Sequence, residues 1–160
     1  RLARGRRDHI ALLNGFNEQM ARRIVAASDF CLMPSRFEPC GLVQMQAQRY
    51  GTLPIAHATG GLADTIKDGE TGFLFSNFSA EGLYAACRRA FDVHADAAML
   101  DEMRQTAMAR SFGWSDAARE YEKLYSRVTG LSIAKRSRPK IRTMCRTPRR
   151  LYKDGPRVAA

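Results

Sequence analysis

Several features are scarce in this 160-residue chain, and each scarcity excludes something. No apolar run approaches the ~18 residues that a membrane-spanning helix needs, so no membrane partner is expected. No leader is visible: Arg1-Leu2-Ala3-Arg4 runs on into charge rather than into an apolar stretch, and a cytoplasmic setting is the expectation. Cysteine is limited to Cys31, Cys40, Cys87 and Cys145, with no C-x-x-C and no Cys/His group at metal-ligand spacing. Reduced, unpaired thiols are therefore expected, with no metal site and no cofactor. His9, His57 and His94 are scattered, and each is read as a structural or solvent-facing side chain.

The excess of positive charge is concentrated at one end. Residues 131–160 hold ten Lys or Arg and one Asp, whereas residues 1–130 hold sixteen Lys or Arg against fifteen Asp or Glu. Of the formal net charge of +10, the tail thus carries +9 and the rest of the chain +1. With few apolar anchors, residues 131–160 are expected to be disordered. Tyr152 stands alone there, so the tail lacks a stacking platform, and nucleic acid is not the expected partner.

What is present centres on residues 35–64. The apolar run Phe30 to Pro34 reads as a buried strand, followed by Ser35-Arg36-Phe37-Glu38-Pro39-Cys40-Gly41 and a helical pattern from Gly41 to Tyr50. Leu42, Met45 and Tyr50 are expected to face the sheet, and Gly51 to stop the helix. Leu53-Pro54-Ile55 reads as a short strand that its proline demotes from a central position. Thr59-Gly60-Gly61 then opens another helix. Upstream, His9 to Asn14 reads as a strand, Gly15-Phe16-Asn17 as a turn, and Asn17 as the N-cap of a helix. Downstream come a turn over Lys67–Gly72, a strand at Phe73-Leu74-Phe75, and a helix opened by Ser79 with the stripe Leu83, Ala86, Cys87, Ala90 and Phe91. A second helix spans Ala97 to Ala109 with Leu100, Met103 and Ala107 inward, and a last one is capped by Ser115. Aromatics other than Phe16 are read as core.

This alternation implies an α/β fold: βαβ units and a partial Rossmann-like parallel sheet with flanking helices. Such sheets bind ligands at the carboxyl ends of their strands, where Phe16, Glu38 and Thr59 would sit on three successive strands. Glycine-bearing loops that open helices suit phosphate, because the backbone comes close and free N–H groups point at the anion.

In that order and spacing, SRFEPCGL, RYGTLPI and TGGLADTI resemble the C-terminal domain of bacterial glycogen synthase and plant starch synthase, retaining glucosyltransferases of the GT-B architecture. The resemblance runs from about Gly15 to about Val128. It implies an incomplete nucleotide-sugar-binding domain over residues 8–130, followed by the basic tail at 131–160. It also implies ADP-glucose and an α-1,4-glucan as substrates, used together with an N-terminal domain that would lie upstream. By resemblance, Glu38 is the catalytic-site carboxylate that orients the donor glucose, Phe16 stacks on the nucleobase, and Cys40 lies near the nucleotide. The N–H groups of Gly41, Leu42 and Val43 would bind a phosphate, and Thr59, Gly60 and Gly61 would form a second wall of the sugar site. Arg36 is left without a role.

Two positions depart from related patterns. Many GT-B transferases carry a second Glu eight residues after the first; Gln46 stands there, which favours the glycogen and starch synthase group. Ala58, preceded by His57, replaces a basic residue often found before TGGL, which weakens one phosphate contact. The leading expectation is the C-terminal part of a glycogen (starch) synthase, transferring glucose to the non-reducing end with retention and inactive as this isolated chain. The alternatives are another GT-B nucleotide-sugar glycosyltransferase and a non-catalytic basic protein that binds polyanions.

Overall fold

The computed structural model describes residues 9–131. The expected disordered tail and Cys145 lie outside them, Leu131 excepted. The chain divides between Asp116 and Ala117 into two compact units. The first holds α1 (Glu18–Ala26), β1 (Phe30–Met33), α2 (Val43–Tyr50), β2 (Leu53–His57), α3 (Gly60–Thr65), β3 (Phe73–Phe75), α4 (Ala80–Ala95) and α5 (Ala97–Ala109). A further helix, α6 (Trp114–Thr129), runs across the division.

The sheet is parallel with strand order β1-β2-β3, in a register that sets Phe30 beside Leu53 and Ile55 beside Phe73. Strands this apolar need cover on both faces. On one face, Leu53, Ile55, Phe73 and Phe75 pack against α4 and α5, whose Ala86, Ala90 and Ala107 are small enough to bring the helix backbones close. On the other, Ala56 meets Leu62 and Ile66 of α3 with its following residue, flanked by Met33 and Leu74.

The helix ends follow their side chains. The carboxamide of Asn17 accepts from Met20 N–H at 2.8 Å and opens α1. Ser79 accepts from Gly82 N–H and opens α4. There, hydrogen bonds from its own backbone N–H and from Ser79 hold the Glu81 carboxyl below its ordinary range. Gly51, at φ +79°, closes α2 in a Schellman turn, with Thr52 N–H on Ala47 O at 2.9 Å and Gly51 N–H on Gln48 O at 3.0 Å.

Thr52 also anchors the end of α1. Its hydroxyl lies 2.6 Å from Val25 O and 2.9 Å from Ser28 O in a fully buried position. Thr52→Val keeps the shape but removes the hydroxyl donor, while Val25 O retains the bond from Ser28 N–H at 3.2 Å. It should lower stability by about 1–2 kcal/mol, read as a shift of the urea midpoint with unchanged slope.

Four expectations are corrected. Residues His9 to Asn14 form no strand, and most of their side chains are exposed, so nothing there alternates between a buried and a solvated face. Pro54 occupies the central strand after all. Leu53 N–H bonds Asp29 O on the β1 side, so by alternation the Pro54 nitrogen faces the β3 side, where pairing begins only opposite Ile55. The missing N–H therefore costs the ladder nothing. On α2, Gln44, Ala47 and Gln48 are buried, while Leu42 and Tyr50 are exposed. Many aromatics read as core also face solvent, Phe37, Tyr84, Phe91, Trp114, Tyr121 and Tyr125 among them.

Candidate functional site

β1 and β2 end in the two loops singled out in the sequence. The first runs from Pro34 to Leu42, and the second is the short Ala58-Thr59 link into α3. They lie backbone against backbone. Gly61 N–H donates to Glu38 O at 3.0 Å. A Cβ on Gly60 would stand 2.1 Å from Glu38 O, and one on Gly61 would stand 1.9 Å from Cys40 O. No side chain fits at either place, so the glycine pair is what lets two stretches far apart in sequence close into one surface.

The polar face of α2 stitches this surface from beneath. Gln44 is fully buried, and its Nε2 lies 2.9 Å from Gly41 O, 3.0 Å from Cys40 O and 3.0 Å from Thr65 Oγ1. The Thr65 hydroxyl in turn donates to Gly61 O. One turn further along, Gln48 is also fully buried and donates to Gln44 O and Thr65 O. Carbonyls that point inward need donors: Gln44 reaches those of Cys40 and Gly41 in the first loop, whereas Gln48 reaches those of Gln44 and Thr65 in the helices. This accounts for glutamines where apolar residues were expected.

The loop after β3 closes the third side. His57 is buried, with Nδ1 3.0 Å from Ser35 O and its ring against Phe75 and Phe78, at 5.5 and 4.9 Å between centroids. The Arg36 guanidinium lies 5.3 Å over the Phe78 ring, which gives that residue a packing partner. His57 is thus a brace between loops and not a stand-in for a phosphate-binding base.

The site residues expected from sequence fall into three groups. Glu38, Cys40, Gly41, Leu42 and Val43 lie along the first loop and the start of α2, with Glu38 half-buried and Cys40 exposed, its thiol 3.7 Å from Gly41 O. Thr59, Gly60 and Gly61 meet that loop directly, but the Gly61 N–H is already taken by Glu38 O. Phe16 stands apart in front of α1, 94% exposed, after Gly15 at φ +120°. The intended trio at three successive strand ends therefore reduces to Glu38 after β1 and Thr59 after β2, since no strand precedes Phe16 among the described residues. The sequence reading missed Gln44, Thr65 and Phe78. A glutamine at the first turn of a helix behind a glycine loop was the one available signal.

Two further features are set aside. Burial pushes the Cys31 thiol up, so it is a packing group in β1 rather than a nucleophile. A cavity of about 620 Å³, lined by Gly69, Glu70, Arg89, Asp92, Met99 and Glu102 among others, lies at the amino end of β3, away from the carboxyl-end loops where such sheets bind ligands.

Several known proteins are similar to this chain in sequence and fold. The family described as glycosyl transferases group 1 matches residues 1–107. A glycogen synthase of Bradyrhizobium diazoefficiens is 57% identical over 128 residues, covering 80% of this chain and 28% of its own length. The catalytic domain of starch synthase IV from Arabidopsis thaliana, solved with ADP and acarbose, superposes with a TM-score of 0.70 at 38% identity, over 78% of this chain and 27% of that one. Sucrose-phosphate synthase from Thermosynechococcus elongatus superposes with a TM-score of 0.60 at 28% identity, over 81% of this chain and 33% of that one. The chain spans about a quarter to a third of the length of these proteins. By fold, loop chemistry and sequence, it belongs to the group 1 glycosyl transferases.

Proposed function

We propose that residues 9–131 carry the nucleotide-sugar side of a glycogen-synthase-type glucosyltransferase. The parent reaction moves glucose from ADP-glucose to the non-reducing end of an α-1,4-glucan with retention. The observation that carries this reading is the seam between the two glycine loops, where Gly61 N–H holds Glu38 O at the carboxyl end of the sheet. The likeness to a starch synthase solved with ADP supports the choice of nucleotide.

In this reading the first N–H groups of α2 receive a phosphate. They have no intrahelical partner, and among the described residues Gly41, Leu42 and Val43 donate to no backbone acceptor. Charge that develops on the departing diphosphate would be met by fixed dipoles, which need no reorganisation during the reaction. Glu38, on the same loop, orients the donor glucose. Phe16 offers an open aromatic face to the base. The Thr59–Gly61 segment backs the first loop and contributes a wall, not an anion contact, because its Gly61 donor is occupied. An upstream domain supplies the acceptor cleft and further positive charge for the diphosphate.

The test is an ADP titration of the full chain followed by amide NMR, with UDP as the comparison. Saturable shifts at Gly41 to Val43 and at Gly60 and Gly61, larger with ADP, are expected. A dispersed spectrum that ignores both nucleotides would sink the half-site reading. Incubation with ADP-glucose and a malto-oligosaccharide should give no elongation, since half of a two-domain cleft cannot hold donor and acceptor together. Detectable elongation would contradict that division of labour.

A further inference from the structure

We infer that Gln44 is a positioning residue: its buried carboxamide turns the Cys40–Gly41 and Gly41–Leu42 peptides so that two successive N–H groups face outward to receive a diphosphate. This rests on the reading of the loop as a donor site and adds the device that sets its polarity.

The argument is one of peptide geometry. Every described peptide bond is trans, so a carbonyl and the N–H of the next residue point in opposite directions. Gln44 Nε2 lies 3.0 Å from Cys40 O and 2.9 Å from Gly41 O, from a side chain that is fully buried. Both carbonyls are therefore drawn inward, and the N–H groups of Gly41 and Leu42 are directed away from the core. Gly41 sits at φ +70°, and a Cβ there would lie 2.5 Å from Gln44 Oε1. Glycine thus supplies both the backbone turn and the space for the amide. Successive N–H groups presented in this way form an anion-binding concavity.

The amide orientation is fixed by its surroundings. With the amide reversed, its oxygen would face two carbonyl oxygens. In the orientation present, Oε1 is buried without a partner among the described residues, an energetic cost accepted for the sake of the two carbonyl contacts. Thr65 Oγ1, 3.0 Å from Nε2, extends the same clamp to Gly61 O and so ties the second loop to the first.

Gln48 is the natural control. It is equally buried on the same helix and also leaves an oxygen unpartnered, but its Nε2 reaches Gln44 O and Thr65 O and no carbonyl of the first loop. A merely structural role for a buried glutamine would be shared by both residues; a positioning role belongs to Gln44 alone.

The experiment uses the full chain and ADP. Gln44→Met removes the donor at similar volume, and Gln48→Met does the same one turn on. Amide residual dipolar couplings of Gly41 and Leu42 report N–H orientation without ligand, and the titration reports affinity. Gln44→Met should change both couplings and weaken ADP roughly tenfold or more, the scale of a lost hydrogen bond to a charged group. Gln48→Met should leave couplings and affinity within about twofold of the parent chain, on the same scale. Equal losses in the two variants, or unchanged couplings in a folded Gln44→Met, would overturn the inference. If Gln44→Met does not fold, hydrogen exchange of side-chain amides in the unmodified chain decides. Protected Gln44 protons beside fast-exchanging protons of exposed Gln46 support the clamp, and equal rates overturn it. Protected Gln44 protons together with no ADP response in the unmodified chain would leave the clamp standing, reject the donor-site reading, and with it reject the diphosphate as the purpose of the clamp.

Discussion

Gly61→Ala should cost this chain about 3 kcal/mol or more and abolish the ADP response of the first loop, the sum of an overpacked contact and a broken buried hydrogen bond. The added Cβ would lie 1.9 Å from Cys40 O and 2.6 Å from Cys40 Cα, both backbone atoms that no rotamer change can move. One loop must retreat by more than an ångström, and the bond from Gly61 N–H to Glu38 O goes with it. Cys40 O is also one of the two carbonyls held by Gln44, so the retreat disturbs the clamp beneath the Gly41 and Leu42 N–H groups proposed to receive phosphate. Urea unfolding measures the first effect and the NMR titration the second. Gly113→Ala is the matched control: the nearest atoms to its new Cβ are serine hydroxyls at 3.8 and 3.9 Å, so stability should stay within about 0.5 kcal/mol. A Gly61→Ala chain that unfolds like the parent would mean that the two loops do not rest on each other as described.

The glycines illustrate how far the sequence could be read. Their positions marked both loops correctly, because a strand that breaks at glycine and resumes as a helix is a local pattern. The reason for Gly60 and Gly61 was not local. It depends on which carbonyls lie across from them, and Glu38 and Cys40 are twenty or more residues away in the chain. The same limit explains α2. A helical wheel of its apolar residues points Leu42 and Tyr50 inward, yet the surface that α2 meets is made of inward-facing carbonyls that need donors, so Gln44 and Gln48 take those positions. By contrast, Leu100, Met103 and Ala107 of α5 were legible at once, because the surface they meet is apolar and periodicity alone selects the face. Pro54 was misjudged for a further reason: whether a strand tolerates proline depends on where its neighbour begins, which no single strand's sequence reveals.

Phe73→Ala should remove about 3–5 kcal/mol, the range for truncating a buried phenylalanine. Phe73 is 2% exposed and lies at the start of β3, where its ring meets Phe30 edge-on at 6.2 Å and lies under the Arg89 guanidinium at 5.6 Å. It joins the α4–α5 face of the sheet to β1 across the central strand, so a cavity there is lined by several rigid elements and collapses poorly. A loss of that size is a large part of the roughly 5–15 kcal/mol that ordinarily separates folded from unfolded chains. The urea midpoint should therefore fall steeply, whereas Phe73→Leu, which keeps most of the volume, should cost under about 1.5 kcal/mol. The consequence for binding differs in kind from that of Gly61→Ala. Phe73 touches neither glycine loop, so at a temperature where Phe73→Ala is still folded, its ADP affinity should match the parent. Its titration should simply disappear as the chain unfolds, with the loop resonances and the core resonances lost together. A weakened affinity in the fully folded variant would mean that the core strand and the donor loops are coupled through β3, by way of Phe75 and Phe78 against His57 and so to the carbonyl of Ser35.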